Sequence, residues 1–215
     1  MAKQSWKPGN MLYPLPAVMV TCRGKDGKDN IITIGWTGTV CSDPAMTYVS
    51  VRKERYSHAM ILETGEFVIN LTTKKLAKAT DFCGVRSGRD VDKFEAMHLT
   101  KEEAQVVNVP MIAESPVNIE CRVTEVKELG SHDMFLAEVV AVHADEAYMD
   151  EKGRFSLTAA EPIAYSHGTY FTLGEQLGTF GYSVKKGKTG KSGVKSGSKR
   201  PNAKKSSGKN SEKDK

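Results

Sequence analysis

The chain has 215 residues, 39% of them hydrophobic, which is enough to bury the core of one domain. Its formal net charge of +5 is unevenly placed, because residues 185–215 hold 12 of the 31 Lys and Arg residues but only two of the 26 acidic residues. Residues 1–184 therefore carry a net charge of −5. This distribution argues against a basic, nucleic-acid-binding body and predicts one domain over residues 1–184, followed by a disordered Lys/Gly/Ser-rich tail over residues 185–215.

The cysteines and the apolar segments indicate a cellular compartment. Cys22, Cys41, Cys83 and Cys121 form no CxxC pair and no close spacing, so we expect reduced thiols rather than a disulfide framework. The apolar run over residues 11–20 is short and interrupted by two prolines, which is typical of neither a signal peptide nor a membrane span. The sequence therefore predicts a cytoplasmic protein without a membrane partner.

The first segments of the body have the composition of β-strands. Strands are predicted over residues 15–22, 30–36 and 46–52. In the third strand, Val49 and Val51 alternate with Ser50 and Arg52. One face of this strand is therefore predicted to pack, while the other presents a hydroxyl and a guanidinium.

Two short helices are predicted after these strands. Ser57 is placed to cap a helix over residues 58–64, which Gly65 ends, and Thr73 is placed to cap a helix over residues 74–82. Both helices are short enough to be connections between strands.

The second half of the body again has the pattern of strands. They are predicted over residues 66–71, 117–124 and 133–143. Residues 100–116 read as irregular, because Pro110 and Pro116 interrupt them. Successive strands without a βαβ rhythm predict a mostly β protein, an antiparallel barrel with short helical excursions.

The connection after the third strand has the groups of an anion site. Arg52 and Arg55 flank the start of a predicted helix, whose free N–H groups and Ser57 hydroxyl would complete a site for one phosphate. The turn at residues 35–37 combines backbone N–H groups, a hydroxyl and an aromatic plane, which suit a flat, hydrogen-bonding ring. The alternative is that these are ordinary surface arginines and that Trp36 belongs to the core.

Four short motifs stand in a fixed order along the body. They are Asn30…Thr33…Trp36, Ser50-Val-Arg…Arg55-Tyr-Ser57, Gly65-Glu-Phe-Val-Ile-Asn70 and Cys83-Gly84…Ser87-Gly88…Asp92-Lys93-Phe94. This ordered set resembles the flavin reductase-like family of FMN-binding split barrels, and within it the flavoredoxin-like branch. The resemblance spans residues 14–181 and implies a homodimer of split β-barrels, each binding FMN near the subunit interface.

The resemblance also implies which residues hold the cofactor. The implied cofactor-binding residues are Thr33, Gly35, Trp36, Thr37, Ser50, Val51, Arg52, Arg55, Ser57, Cys83, Gly84, Ser87 and Lys93. Because such a cofactor carries the chemistry, no catalytic side chain is assigned. The histidines show neither HxxxH nor HExxH spacing, so no metal site is predicted.

Three functions remain open at this point. The first is a flavin reductase that moves reducing equivalents from NAD(P)H to flavin or another acceptor. The second is a flavoredoxin-type electron carrier that retains FMN tightly, has no NAD(P)H site and meets a redox protein partner. The third is a cofactor-free barrel that binds nucleic acid through the basic tail, against which the acidic body and the lack of aromatic residues in the tail both argue.

Overall fold

The computed structural model of the chain describes residues 1–185. Residues Met1–Glu175 form one compact unit, and residues 176–185, which group apart from it, contain a short 3-10 helix at Tyr182–Val184. The domain boundary after residue 184 stays a prediction. The predicted disordered tail lies, except for Lys185, outside the described residues.

The compact unit is built mainly from β-strands. The strands are β1 (Leu15–Pro16), β2 (Val18–Arg23), β3 (Asp29–Ile34), β4 (Thr37–Ser42), β5 (Ala45–Arg52), β6 (Glu66–Asn70), β7 (Lys101–Glu102), β8 (Met111–Ile112), β9 (Val117–Glu128), β10 (His132–Ala144), β11 (Ile163–Ser166) and β12 (Thr169–Thr172). The α-helices are α1 (Tyr56–Thr64), α2 (Ala77–Val85) and α3 (Lys93–Ala96). Short 3-10 helices lie at Glu146–Tyr148 and Leu157–Ala160.

Seven strands form the main sheet, in the order β3-β2-β6-β9-β10-β5-β4, with every neighbouring pair antiparallel. β3 and β4 are the two edges of this sheet, yet only Gly35 and Trp36 connect them. A connection of that length spans at most about 11 Å, so the sheet must curl until its edges are close. The result is a barrel that is open between β3 and β4, which confirms the predicted antiparallel split barrel.

Helix α1 packs into the core inside the barrel. Val20, Val49, Phe67 and Phe135 from four different strands are fully buried, and Ile61 of α1 is buried with them. The predicted alternation along β5 is confirmed, since Val49 and Val51 are buried while Ser50, which stands between them in the chain, is only half-buried. Because α1 contributes to the core, the chain just before it is held at a fixed place on the barrel.

The start of α1 differs from the prediction. Arg55, not Ser57, is the N-cap residue, with extended backbone angles and no capping hydrogen bond from its side chain. Ser57 lies inside the first turn, buried, and its Oγ accepts a hydrogen bond of 2.8 Å from Asn30 Nδ2. A contact with β3 therefore takes the hydroxyl that was predicted to cap the helix. Gly65 ends the helix in the left-handed conformation at φ 70°, as predicted.

The start of α2 also differs from the prediction. The helix begins at Ala77 rather than at residue 74, and its N-cap residue is Leu76. Thr73 caps no helix, because it forms an isolated antiparallel bridge with Pro162. Pairing with a distant segment has again overridden a local capping signal.

The loop before β8 is tied to β9 through a buried carboxylate. Glu120 is fully buried and accepts hydrogen bonds from the backbone N–H groups of Gln105, Val106 and Val107, at 2.7 to 2.9 Å. His143 Nε2 lies 2.6 Å from the Oε1 atom of Glu120. Burial alone would raise the pKa of Glu120, but these donors hold it below its usual range.

All four cysteines are free thiols, as predicted, and Cys22, Cys83 and Cys121 are buried. Among residues 1–185, no helix has the length and apolar character needed to cross a membrane.

Candidate functional site

Three adjoining cavities surround the opening of the barrel between β3 and β4. We call them the basic cavity (about 400 Å³, lined by Arg52, Arg55, Ser57, Arg86, Arg89 and Lys93), the central cavity (about 330 Å³, lined by Thr33, Gly35, Trp36, Ser50, Val51 and His132) and the tyrosine cavity (about 330 Å³, lined by Asp81, Gly84, Tyr165, Gly168 and Tyr170). Arg55 lines all three, and Thr33, Gly35 and Trp36 line both the central and the tyrosine cavity. The three together form one continuous cleft.

The basic cavity carries a large excess of positive charge. Within residues 1–185, only one of its five cations, Arg52, has a carboxylate oxygen within 4.0 Å, and this exposed contact with Glu54 is 3.5 Å long. The first turn of α1 adds backbone N–H groups that no side chain caps. Cations and free N–H groups that converge on one cavity form an anion-binding site.

Lys93 forms the buried wall of the basic cavity. Its ammonium donates hydrogen bonds to the carbonyl oxygens of Ile31 at 2.5 Å and Cys83 at 2.8 Å, and the residue is only 4% exposed. Burial, with a smaller contribution from the nearby Arg55 guanidinium, lowers the pKa of Lys93 to about 8. Since an ammonium has three N–H groups, one donor remains for a ligand in the cavity.

A glycine holds the arginine-bearing loop against β3. A Cβ atom on Gly88 would lie 2.1 Å from Oδ1 of Asn30, so only glycine allows this approach. Asn30 in turn donates to Ser57, which joins the loop after α2, strand β3 and the start of α1 through one buried amide. The positions of the arginines in the basic cavity therefore depend on this packing.

The start of α1 is also attached to β10. His58 Nε2 lies 2.8 Å from Oδ2 of the buried Asp133, and the His58 ring packs edge-on against Phe135. This contact fixes the turn that carries Arg55 relative to the central cavity.

The central cavity has an aromatic wall. Trp36 is 38% exposed, so it is not a core residue, which removes that alternative. Its ring is nearly parallel to that of His132, with an interplanar angle of 10° and centroids 6.2 Å apart. Burial, and then the Arg52 charge, lower the pKa of His132, which favours the neutral form of this imidazole. The cavity thus offers planar groups and the hydroxyl of Ser50.

The tyrosine cavity is built on the β11–β12 hairpin. His167 and Gly168 both have positive φ and make the tight turn, which places Tyr165 and Tyr170 side by side with ring centroids 5.5 Å apart. Burial, and then the negative charge of Asp81, raise the pKa of Tyr170 to about 12. Tyr170 is therefore a neutral phenol beside the Thr33–Trp36 wall.

The match to known proteins agrees with this architecture. Residues 11–174 match the family model of the flavin reductase like domain. The chain belongs to the flavin reductase-like family. A protein of Archaeoglobus fulgidus is 35% identical to it over 141 residues, which is 66% of this chain and 78% of that protein.

Solved structures of the family have the same fold. Flavoredoxin of Desulfovibrio vulgaris (Miyazaki F) is 28% identical, with a TM-score of 0.79 over 86% of this chain and 100% of that chain. An FMN-binding protein from Thermus thermophilus, solved with bound 1-cyclohex-2-enone, is 25% identical, with a TM-score of 0.70 over 83% of this chain and 99% of that chain. Together with the family match, these similarities make the chain a flavin-binding redox protein.

Most of the cofactor-binding residues implied by the family resemblance lie around the cleft. Eleven of them line one or more of the three cavities, and Thr37 and Cys83 line none. Thr37 is buried and donates from Oγ1 to the carbonyl oxygen of Tyr48 at 2.6 Å. Cys83 is buried where α2 packs, and burial raises the pKa of its thiol to about 11. Its carbonyl oxygen accepts a hydrogen bond from Lys93, which lines the basic cavity.

Sequence reasoning missed other residues that line the cleft. They are Asn30, Arg86, Arg89, His132, Tyr165 and Tyr170. Asn30 belongs to the first motif, and the two arginines lie next to motif residues, so the same pattern could have identified all three. The tyrosines were not, because only the barrel topology brings the C-terminal hairpin to this opening. Among residues 1–185, no group of three or more His, Cys, Asp or Glu side chains is arranged to hold a metal ion.

Proposed function

We propose that this protein is a reductase that binds FMN in the cleft and transfers reducing equivalents from NAD(P)H to flavin or to another acceptor. One observation carries the proposal. A cavity with five cations and a single, weak carboxylate contact opens into an aromatic-walled cavity through two shared arginines. A phosphate joined to a planar ring is the kind of molecule that such a pair of cavities fits.

The residues present suit FMN. Lys93 keeps one N–H group for the cavity, and the first turn of α1 offers uncapped backbone N–H groups. We assign the phosphate to Arg55, Lys93 and the start of α1, near the Ser57 hydroxyl. Thr33, Gly35 and Trp36, with Ser50 and Val51, would hold the ring.

A bound flavin supplies hydride and electron transfer at its ring, so the chain itself needs no nucleophile or metal. The residues of the cleft would bind and orient the cofactor. The lowered pKa of His132 and the raised pKa of Tyr170 favour their neutral forms, so the positive charge near the ring would come from the arginines.

The tyrosine cavity favours the reductase over the electron carrier. It lies against the same Thr33–Trp36 wall as the central cavity. The planar rings of Tyr165 and Tyr170 line it, together with the charged side chains of Arg55 and Asp81. A second planar molecule, such as the nicotinamide of NAD(P)H or a small acceptor, would fit beside the ring there. The alternative is a flavoredoxin-type carrier that keeps FMN tightly and exchanges electrons only with a redox protein partner.

We also propose a homodimer in the cytoplasm. Met11, Leu12 and Val40 are 49% to 85% exposed, and the first two line a cavity with Trp36 at the mouth of the cleft. Exposed apolar side chains beside a binding site are typical of a surface that another subunit covers. Light scattering should give twice the monomer mass, and a monomer with bound FMN would contradict this proposal.

An anaerobic titration tests the proposed function. The protein is loaded with FMN, separated from free flavin, and mixed with NADH or NADPH while the flavin absorbance bands are recorded. Bleaching on addition of either nucleotide supports the reductase. Retained FMN that only a chemical reductant bleaches supports the carrier, and failure to take up FMN at all would contradict both.

A further inference from the structure

The basic cavity holds more positive charge than one FMN phosphate neutralises. A phosphomonoester carries a charge of about −1.5 to −2 at pH 7. Against it stand Arg52, Arg55, Arg86, Arg89 and Lys93, of which Arg52 alone has a carboxylate contact within residues 1–185. Two or more cations are therefore left over.

The surplus positive charge lies at the exposed end of the basic cavity. Lys93 and Ser57 are buried, whereas Arg86 and Arg89 are exposed on the loop after α2. A resident cofactor suits the buried end, since it can be held there away from water. Exposed arginines suit a ligand that arrives from solvent and leaves again.

The two loop arginines are positioned for a phosphate next to an aromatic base. The Arg89 guanidinium lies 5.1 Å from the centroid of the Tyr56 ring, and its Nη1 donates to the carbonyl oxygen of Glu54 at 3.3 Å. Arg86 lines the cavity, and its side chain makes no hydrogen bond or ion pair among the described residues, so its donors are available to a ligand. A guanidinium fork binds a phosphate through paired hydrogen bonds, and its flat face can stack on a purine.

We propose that Arg86 and Arg89 form a second phosphate subsite, which takes the 2′-phosphate of NADPH. This inference rests on the proposed reductase function, and it makes NADPH rather than NADH the preferred reductant. Binding FAD instead of FMN would not neutralise the surplus positive charge, because the pyrophosphate of FAD carries about the same charge as the single phosphate of FMN. A second, separate phosphomonoester would neutralise it.

The test uses two variants and a control on the full, FMN-loaded chain. Arg86→Gln and Arg89→Gln remove the charges, and Arg154→Gln removes an exposed arginine that lines none of the three cavities. The ratio of kcat/KM for NADPH to that for NADH should exceed 1 in the native chain. It should fall by at least about 10-fold in each variant, which is the lower end of the range for one charge-assisted hydrogen bond, and stay unchanged in the control. The Kd for FMN should stay within about twofold in all variants.

Calorimetry with adenosine 2′,5′-bisphosphate against 5′-AMP measures the subsite without any turnover. Tighter binding of the bisphosphate to the native chain, lost in both arginine variants, supports the subsite even if the protein proves to be a carrier. Equal binding of the two nucleotides, or no change in the variants, would overturn it. If the variants instead weaken FMN or FAD binding and leave the nucleotide ratio unchanged, the arginines serve the flavin and the inference is wrong.

Discussion

Gly88→Ala should destabilise the protein by an amount that the structure allows us to work out. The new Cβ would lie 2.1 Å from Oδ1, 2.5 Å from Cγ and 2.9 Å from Nδ2 of Asn30, so the whole amide must move. Over-packing of this kind costs about 1–3 kcal/mol. Moving the amide also breaks the buried hydrogen bond from Asn30 to Ser57, and leaving such groups unpaired costs about 1–3 kcal/mol. We expect a total loss of about 2–6 kcal/mol in the free energy of unfolding.

Urea unfolding measures this loss, with Gly174→Ala as the matched control. A Cβ on Gly174 would meet no atom within 4 Å, so that variant should unfold at an unchanged or slightly higher urea concentration. The decisive comparison repeats Gly88→Ala in an Asn30→Ala background, where the clash no longer exists. If Gly88→Ala costs as much in that background as in the native chain, the reasoning from Asn30 is refuted.

Three further predictions address the cleft and the stability of the fold. Arg55→Ala should weaken FMN binding by about 10- to 160-fold, because one charge-assisted contact is lost, without changing the urea midpoint of unfolding. FMN fluorescence quenching measures the Kd, and an unchanged Kd would show that the phosphate site is misplaced. Because burial lowers the pKa of Lys93 to about 8, the affinity for FMN should fall as pH rises from 8 to 9.5, when the ammonium loses its charge. Lys93→Met should bind FMN more weakly and show no such fall. Riboflavin, which has no phosphate, should show no fall with either protein. Glu120→Gln should cost about 1–3 kcal/mol at pH 7, since one carbonyl oxygen replaces two acceptors. The pKa of Glu120 is held low in the folded state, so this stabilisation is present above the ordinary value of 4.5 and is lost as pH falls below it. Acid titrations of unfolding that are identical for Glu120→Gln and the native chain would contradict that assignment.

Local patterns predicted six of the seven strands of the main sheet, because period-two alternation reports directly on which side of a sheet is buried. They did not predict β4 or the β11–β12 hairpin. Val49 and Val51 of β5 are buried as their alternation with Ser50 indicated. The split of the barrel follows from counting residues once the strand order is known, but the strand order itself depends on long-range pairing that the sequence pattern does not contain.

The two predicted N-cap residues were wrong for the same physical reason, whereas Gly65 ends α1 as predicted. Ser57 and Thr73 are good capping residues by type, yet each meets a partner far away in sequence that uses its polar group or backbone instead. A capping hydrogen bond contributes about 1 kcal/mol, which a buried tertiary contact readily replaces. Cap signals are therefore weakest where the helix end is buried against a sheet, as it is beside this cleft.

Residue chemistry alone predicted the candidate site only in two short stretches, residues 35–37 and 52–57, and the family resemblance added residues such as Thr33 and Lys93. Arg52, Arg55 and Ser57 stand within six positions, and the fold brings them to one cavity. Tyr165 and Tyr170 come more than a hundred residues later and reach the cleft through the pairing of β11 with β1 and β12. The local sequence of the hairpin does not predict that position.

The most direct test of the account is a crystal structure of the protein loaded with FMN. The account predicts the phosphate in the basic cavity, within hydrogen-bond distance of Arg55 and Lys93, and the ring against the Thr33–Trp36 wall. A ring bound elsewhere on the chain, or a phosphate outside the basic cavity, would contradict it.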